Sequence, residues 1–70
     1  YKSLLMEYSQ SEKLKLPNYQ VISEDGPGHN KTFYVAVFIE NKKLGEGTGK
    51  SKKKAEQEAA RNALEALGEK

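Results

Sequence analysis

The sequence predicts an α+β domain of order α-β-β-β-α, a three-stranded antiparallel sheet with two helices packed on one face. Three observations predict it. Apolar residues recur at helical spacing at the start of the chain, β-branched and aromatic residues dominate positions 32–39, and alanines and leucines return every three to four residues over 51–67. Seventy residues make one domain at most, residues 1–70, because a chain this short buries only about 60% of its unfolded surface.

Tyr1 to about Glu12 reads as an amphipathic helix. Tyr1, Leu4, Leu5 and Tyr8 fall at i, i+3, i+4 and i+7, which is one face, with Lys2, Glu7 and Gln10 off that stripe. Pro17 cannot continue a helix, so Lys13 to Asn18 is a connection. Tyr19 to about Glu24 reads as a first strand, on the strength of Tyr19, Val21 and Ile22. Asp25-Gly26-Pro27-Gly28-His29-Asn30 is a loop made almost wholly of turn-formers. Thr32 to Ile39 carries the strongest strand signal: Phe33, Val35, Val37 and Ile39 share one face, and Tyr34, Ala36 and Phe38 the other. Glu40-Asn41-Lys42 is a short hairpin turn, with Asn41 able to take positive φ. Lys43 to about Gly47 is a weaker strand, interrupted by glycines. Ser51 to Leu67 is the second helix, with Ser51 as N-cap and Gly68 at C′. Its buried stripe is Ala55, Ala59, Ala60, Ala63, Leu64 and Leu67, and small residues there let the helix backbone approach a sheet closely.

Composition excludes several classes of function. The chain is 36% hydrophobic and 31% charged, polar for a globular domain but not disordered. With no cysteine it has neither a disulfide framework nor a thiolate zinc site. No apolar run approaches the roughly 18 residues of a membrane span, and no leader marks secretion, so no membrane partner and a cytoplasmic setting are expected. The chain starts at Tyr1 rather than Met, which suggests a piece of something longer.

Twelve Lys plus Arg against ten Asp plus Glu leave a net charge of +2, too small an excess to argue for nucleic acid by itself. The distribution is more informative. Lys50, Lys52, Lys53 and Lys54 put four positive charges into five residues, and Glu56, Glu58, Glu65 and Glu69 follow. A helix N-terminus carries about half a positive charge, so lysines in the first turn are adverse, by about 0.3–1 kcal/mol each at low salt. A bound anion removes that penalty and uses both the free N–H groups and the ammonium groups. A solvated basic face is the plainer reading of such a cluster. The adverse dipole placement is what favours phosphate.

Gly49-Lys50-Ser51 also invites a nucleotide-binding loop, a reading from a different class. That loop needs a glycine at position 44, where the chain has Leu44, and Gly45 comes one residue too late. His29 is the only histidine and Asp25 the only aspartate. No carboxylate pair or metal-ligand cluster can be assembled, so no catalytic and no metal-binding residue is assigned. Tyr34 and Phe38 offer a stacking platform of the kind single-strand binders use, but strand aromatics are commonly just β-formers, and no basic residues interleave them.

Taken together, these residues resemble the double-stranded-RNA-binding domain, and specifically the C-terminal domain of bacterial ribonuclease III. Three stretches carry the resemblance: Glu7 with Gln10 in the first helix, Gly26-Pro27-Gly28-His29 in the loop, and Gly47-Thr48-Gly49-Lys50-Ser51-Lys52-Lys53-Lys54-Ala55-Glu56 into the second helix. The last is similar to the family's G-x-G-x-S-K-K-x-A signature, and Glu56-Gln57 looks more like the bacterial nuclease than like eukaryotic members. The resemblance implies binding to double-stranded RNA by its A-form shape, across two minor grooves and the phosphates of the major groove between them. Glu7, Gln10, Pro27, Gly28 and His29 would meet the minor grooves; Lys31, Lys50, Lys52 and Lys53 would meet phosphate. Lys54 falls at the variable position. One departure is Met6, where the bacterial nucleases commonly carry Gln. The resemblance further implies a parent enzyme that cleaves duplex RNA with magnesium as a homodimer, through a nuclease domain missing here. For this chain it implies binding without cutting and no cofactor. A stand-alone RNA-binding module, or a protein-interaction module of the same fold, is the alternative.

Overall fold

The computed structural model describes residues 1–68. Glu69, the last acidic residue of the charge separation noted above, lies outside the described residues. The elements are α1 (Lys2–Ser11), β1 (Asn18–Asp25), β2 (Thr32–Ile39), β3 (Lys42–Gly49) and α2 (Lys52–Ala66). The sheet order is β1-β2-β3, with both neighbouring pairs antiparallel.

The central strand organises the core. Val35 and Val37 are fully buried and Ile39 nearly so, on the face expected from the alternation, with Phe33 packed beside them. Ala36 is also fully buried, although alternation places it on the opposite face. Its cross-strand partners are Gln20 and Glu46, long side chains flanking a single methyl group. Tyr34 and Phe38 are each half-buried rather than open.

Both ends of β3 differ from expectation. The β2–β3 turn is shorter, because Glu40 and Asn41 both take positive φ, +52° and +68°. Two left-handed central residues make the primed hairpin turn whose twist matches that of the flanking strands. Strand β3 therefore starts at Lys42, and it continues to Gly49 rather than fading at Gly47. Its glycines complete the strand rather than interrupt it. A Cβ on Gly45 would lie 2.6 Å from the Ala63 nitrogen. One on Gly47 would lie 2.6 Å from the Ala55 oxygen and closer still to the Ala59 nitrogen, and one on Gly49 would lie 2.8 Å from the Ala55 nitrogen. Two strand residues advance about 6.7 Å and four helix residues about 6.0 Å, so glycines at i, i+2, i+4 meet alanines at j, j−4, j−8 in step, the helix running antiparallel to β3. Backbone thus packs directly on backbone.

Helix α2 is capped as expected. The Ser51 hydroxyl accepts from the Lys54 N–H at 3.2 Å, and Gly68 takes φ +83° just past the helix end. The helix is two residues shorter than the 51–67 reading, 15 residues in all, and Leu67 packs against the core from beyond its end. In α1 the expected stripe is corrected. Leu5 is buried and Tyr8 half-buried, but Tyr1 and Leu4 are 58% and 49% exposed. The buried face turns toward Leu5 and Ser9, whose hydroxyl donates to the Met6 carbonyl at 2.8 Å. A small side chain that satisfies its own donor packs where apolar counting places nothing.

Candidate nucleic-acid interface

The outward face of α1 carries Ser3, Met6, Glu7 and Gln10, all exposed, at i, i+3, i+4 and i+7. Glu7 and Gln10 lie where the sequence suggested, side by side on one helical ridge. Ser3, which the sequence reading did not single out, shares that face at helical spacing from Glu7 and Gln10 and carries a hydroxyl able both to donate and to accept.

Pro27, Gly28 and His29 are exposed in the β1–β2 loop. The loop is held by its own backbone: the Asn30 N–H donates to the Pro27 carbonyl at 2.9 Å. Gly26, at φ +103°, abuts the Asn30 carbonyl so closely that no Cβ fits. His29 is therefore presented on a compact turn. Lys31 is not free: its Nζ lies 3.3 Å from Glu24 Oε1. Both partners are half-exposed, and such a pair contributes about 0–1 kcal/mol, so exchange for a phosphate costs little.

The basic cluster starts where β3 feeds into α2. Lys50 Nζ donates to the Thr32 hydroxyl at 3.3 Å, which places it beside the start of β2. Lys52 and Lys53 are exposed in the first turn of α2, with no acidic residue in that turn. Lys52, Lys53 and Lys54 make no ion pair among the described residues. A shallow groove lined by Thr48, Ser51, Lys53 and Gln57 runs along this end. The structure thus gathers the loop, Lys31, Lys50, Lys52 and Lys53 at one end of the sheet. It leaves Glu7 and Gln10 on a separate helix.

Polar contacts tie the two regions: the Tyr1 amino terminus donates to Gln57 of α2 at 3.3 Å. Lys2 of α1 pairs with Glu56 of α2 at 2.6 Å, and its ammonium stands 5.0 Å from the centroid of the Tyr19 ring. The Tyr19 hydroxyl is buried without a hydrogen-bond partner. Burial first, and the Glu56 carboxylate second, push its pKa up to about 12.

A three-stranded antiparallel sheet backed by two helices, with lysines that make no ion pair among the described residues at a helix start, defines a small α-β-β-β-α domain whose exposed basic end suits an anion. Comparison with known proteins narrows the class. The family model for the double-stranded RNA binding motif matches residues 1–67. Ribonuclease 3 of Streptococcus equi subsp. zooepidemicus is 52% identical over 69 residues, 99% of this chain and 30% of that protein. Ribonuclease 3 of Streptococcus mutans is 55% identical over 67 residues, covering 96% and 29%. Among solved structures, one of Arabidopsis HYL1 superposes with a TM-score of 0.84 at 36% identity, covering 97% of this chain and 96% of that one. The dsRBD of a tRNA-dihydrouridine(20) synthase gives 0.78 at 31% identity, covering 99% and 71%. The chain belongs to the double-stranded RNA binding motif family. It spans about 30% of the length of the curated relatives it matches.

Among the described residues no three His, Asp or Glu side chains converge on a point that would suit a metal ion. Nor does any described helix have the length and apolarity to cross a membrane.

Proposed function

We propose that this domain is the duplex-RNA-binding module of a ribonuclease III, and that it grips A-form RNA through three separate surfaces. The observation that carries the reading is the lysine run, without ion pairs among the described residues, at an N-capped helix start, where dipole and ammonium charge both favour phosphate. Lys50, Lys52 and Lys53 bridge the phosphates across the major groove, with Lys31 alongside. The α1 face of Ser3, Glu7 and Gln10 meets 2′-hydroxyls and base edges in one minor groove; Pro27, Gly28 and His29 reach the other. The elongated shape, 40 Å by 23 Å by 16 Å, supports a footprint along one side of a duplex.

The parent enzyme cleaves duplex RNA as a magnesium-dependent homodimer in the cytoplasm, with this module supplying substrate affinity. The relatives' names and the share of their length matched here support that parentage.

Amide resonances followed during titration with an RNA duplex of about 20 base pairs test the site assignment. Shifts are expected on the outer face of α1, at residues 26–31 and at 50–53. Shifts confined to Tyr34 and Phe38 on the sheet would contradict it and select the stacking surface instead.

A further inference from the structure

Two glutamates of α2 stand four residues after lysines of the basic cluster, Glu56 after Lys52 and Glu58 after Lys54. At this spacing opposite charges on a helix pair and neutralise one another. Neither pair forms. Glu58 is taken by Arg61 at 3.2 Å, and Glu56 by Lys2 at 2.6 Å. Lys2 comes from a different helix, so nothing in α2 itself accounts for where Glu56 points. The Lys2 ammonium that holds it also stands 5.0 Å from the centroid of the Tyr19 ring of β1, so the pair is seated against the sheet and away from Lys52. Glu56 is also the less exposed partner of the pair, 26% against 41% for Lys2. Lysine placed N-terminal to glutamate is the weaker of the two i,i+4 orientations, so an outside competitor wins easily.

We infer that Lys2 is a positioning residue which holds Glu56 away from Lys52 and so keeps the α2 lysines available to phosphate. This rests on the duplex-RNA reading above. Lys2 acts through Glu56 and does not touch RNA. Without Lys2, Glu56 swings out to Lys52, and one ammonium is already neutralised before a phosphate arrives. Binding then releases fewer counterions, and its salt dependence flattens.

The test is duplex-RNA affinity over a salt series for the native chain, Lys2→Met, Glu56→Gln and the double variant, with a thermal melt of each. Lys2→Met is expected to bind about threefold more weakly at low salt, with a log–log slope shallower by up to about 1, the worth of one phosphate contact. Glu56→Gln is expected to bind at least as tightly as the native chain, and the double variant to regain the native slope. A double variant as weak as Lys2→Met would overturn the inference, because Lys2 would then act on RNA or on the fold directly. Unchanged binding by Lys2→Met would overturn it too. Should Lys2→Met not fold, Glu56→Gln decides alone: weakened binding by this variant makes the ion pair a structural brace and sinks the idea. A native chain that ignores duplex RNA at every salt removes the underlying reading, and this inference with it; a native chain that binds while Lys2→Met matches it removes the inference only.

Discussion

Gly47 of β3 lies against the backbone of Ala59 in α2 with no room for a Cβ between them. This contact, repeated by Gly45 on Ala63 and Gly49 on Ala55, sets the height of α2 over the sheet and aims its first turn. The lysines are therefore positioned by residues that carry no functional group.

Replacing Gly47 by alanine should force α2 off the sheet. The added methyl meets main chain that cannot rotate away, so a loss of about 1–3 kcal/mol is expected, at the upper end for a backbone obstacle. Denaturant unfolding of Gly47→Ala checks this. Stability within about 0.5 kcal/mol of the native chain would show that the helix can shift freely.

Lys52→Ala and Lys53→Ala should each weaken duplex-RNA binding and reduce its salt slope by roughly 1. Their melting temperatures should hold or rise slightly, since each removes a positive charge from a helix N-terminus. Paired binding isotherms and thermal melts separate the two effects. A variant that unfolds would make the lysine structural.

Met6 is 45% exposed on the α1 face that carries Glu7 and Gln10. A thioether is only a weak acceptor and donates nothing to a base edge or ribose hydroxyl. Met6→Gln should therefore maintain or tighten duplex binding without changing stability. A clear loss of affinity would give Met6 a contact of its own.

Tyr19 has a pKa of about 12 in the folded chain against the ordinary 10.0, so folding favours its protonated form. The stabilisation is complete below pH 10 and is lost as pH rises from 10 to 12, because the unfolded chain gives up this proton first. Tyr19→Phe should abolish that part of the alkaline loss of stability. At neutral pH it should be neutral, or stabilising by up to about 1 kcal/mol, because the hydroxyl it deletes is buried without a partner. Denaturant melts of both chains between pH 7 and pH 12 read the difference.

Much of this was legible in sequence because local and tertiary signals agree. Residues 32–39 are β-branched or aromatic at every position but Ala36 and are the central strand, and Ser51 and Gly68 bound α2 by caps that need no partner element. The loop motif and the start of α2, where the basic cluster sits, fall where the sequence placed them, although β3 runs on to Gly49. What escaped it depends on a second element. The glycines of β3 read as weakness because the helix that requires them comes later in the chain. The inward turn of Ser9 reverses an apolar-counting rule through a hydrogen bond to its own helix. Ser3 gained meaning only once the buried face of α1 was fixed. The Lys2–Glu56 pair joins residues 54 positions apart, which no local pattern reports.

The most direct measurement is a binding titration with a blunt RNA duplex of about 20 base pairs, beside the same-sequence DNA duplex and single-stranded RNA, at two salt concentrations. Strong preference for duplex RNA, weakened by salt, is the expected result, because the lysines supply affinity and the α1 and loop surfaces require A-form grooves with 2′-hydroxyls. Equal binding to all three would contradict it and reduce the lysine cluster to a nonspecific basic patch.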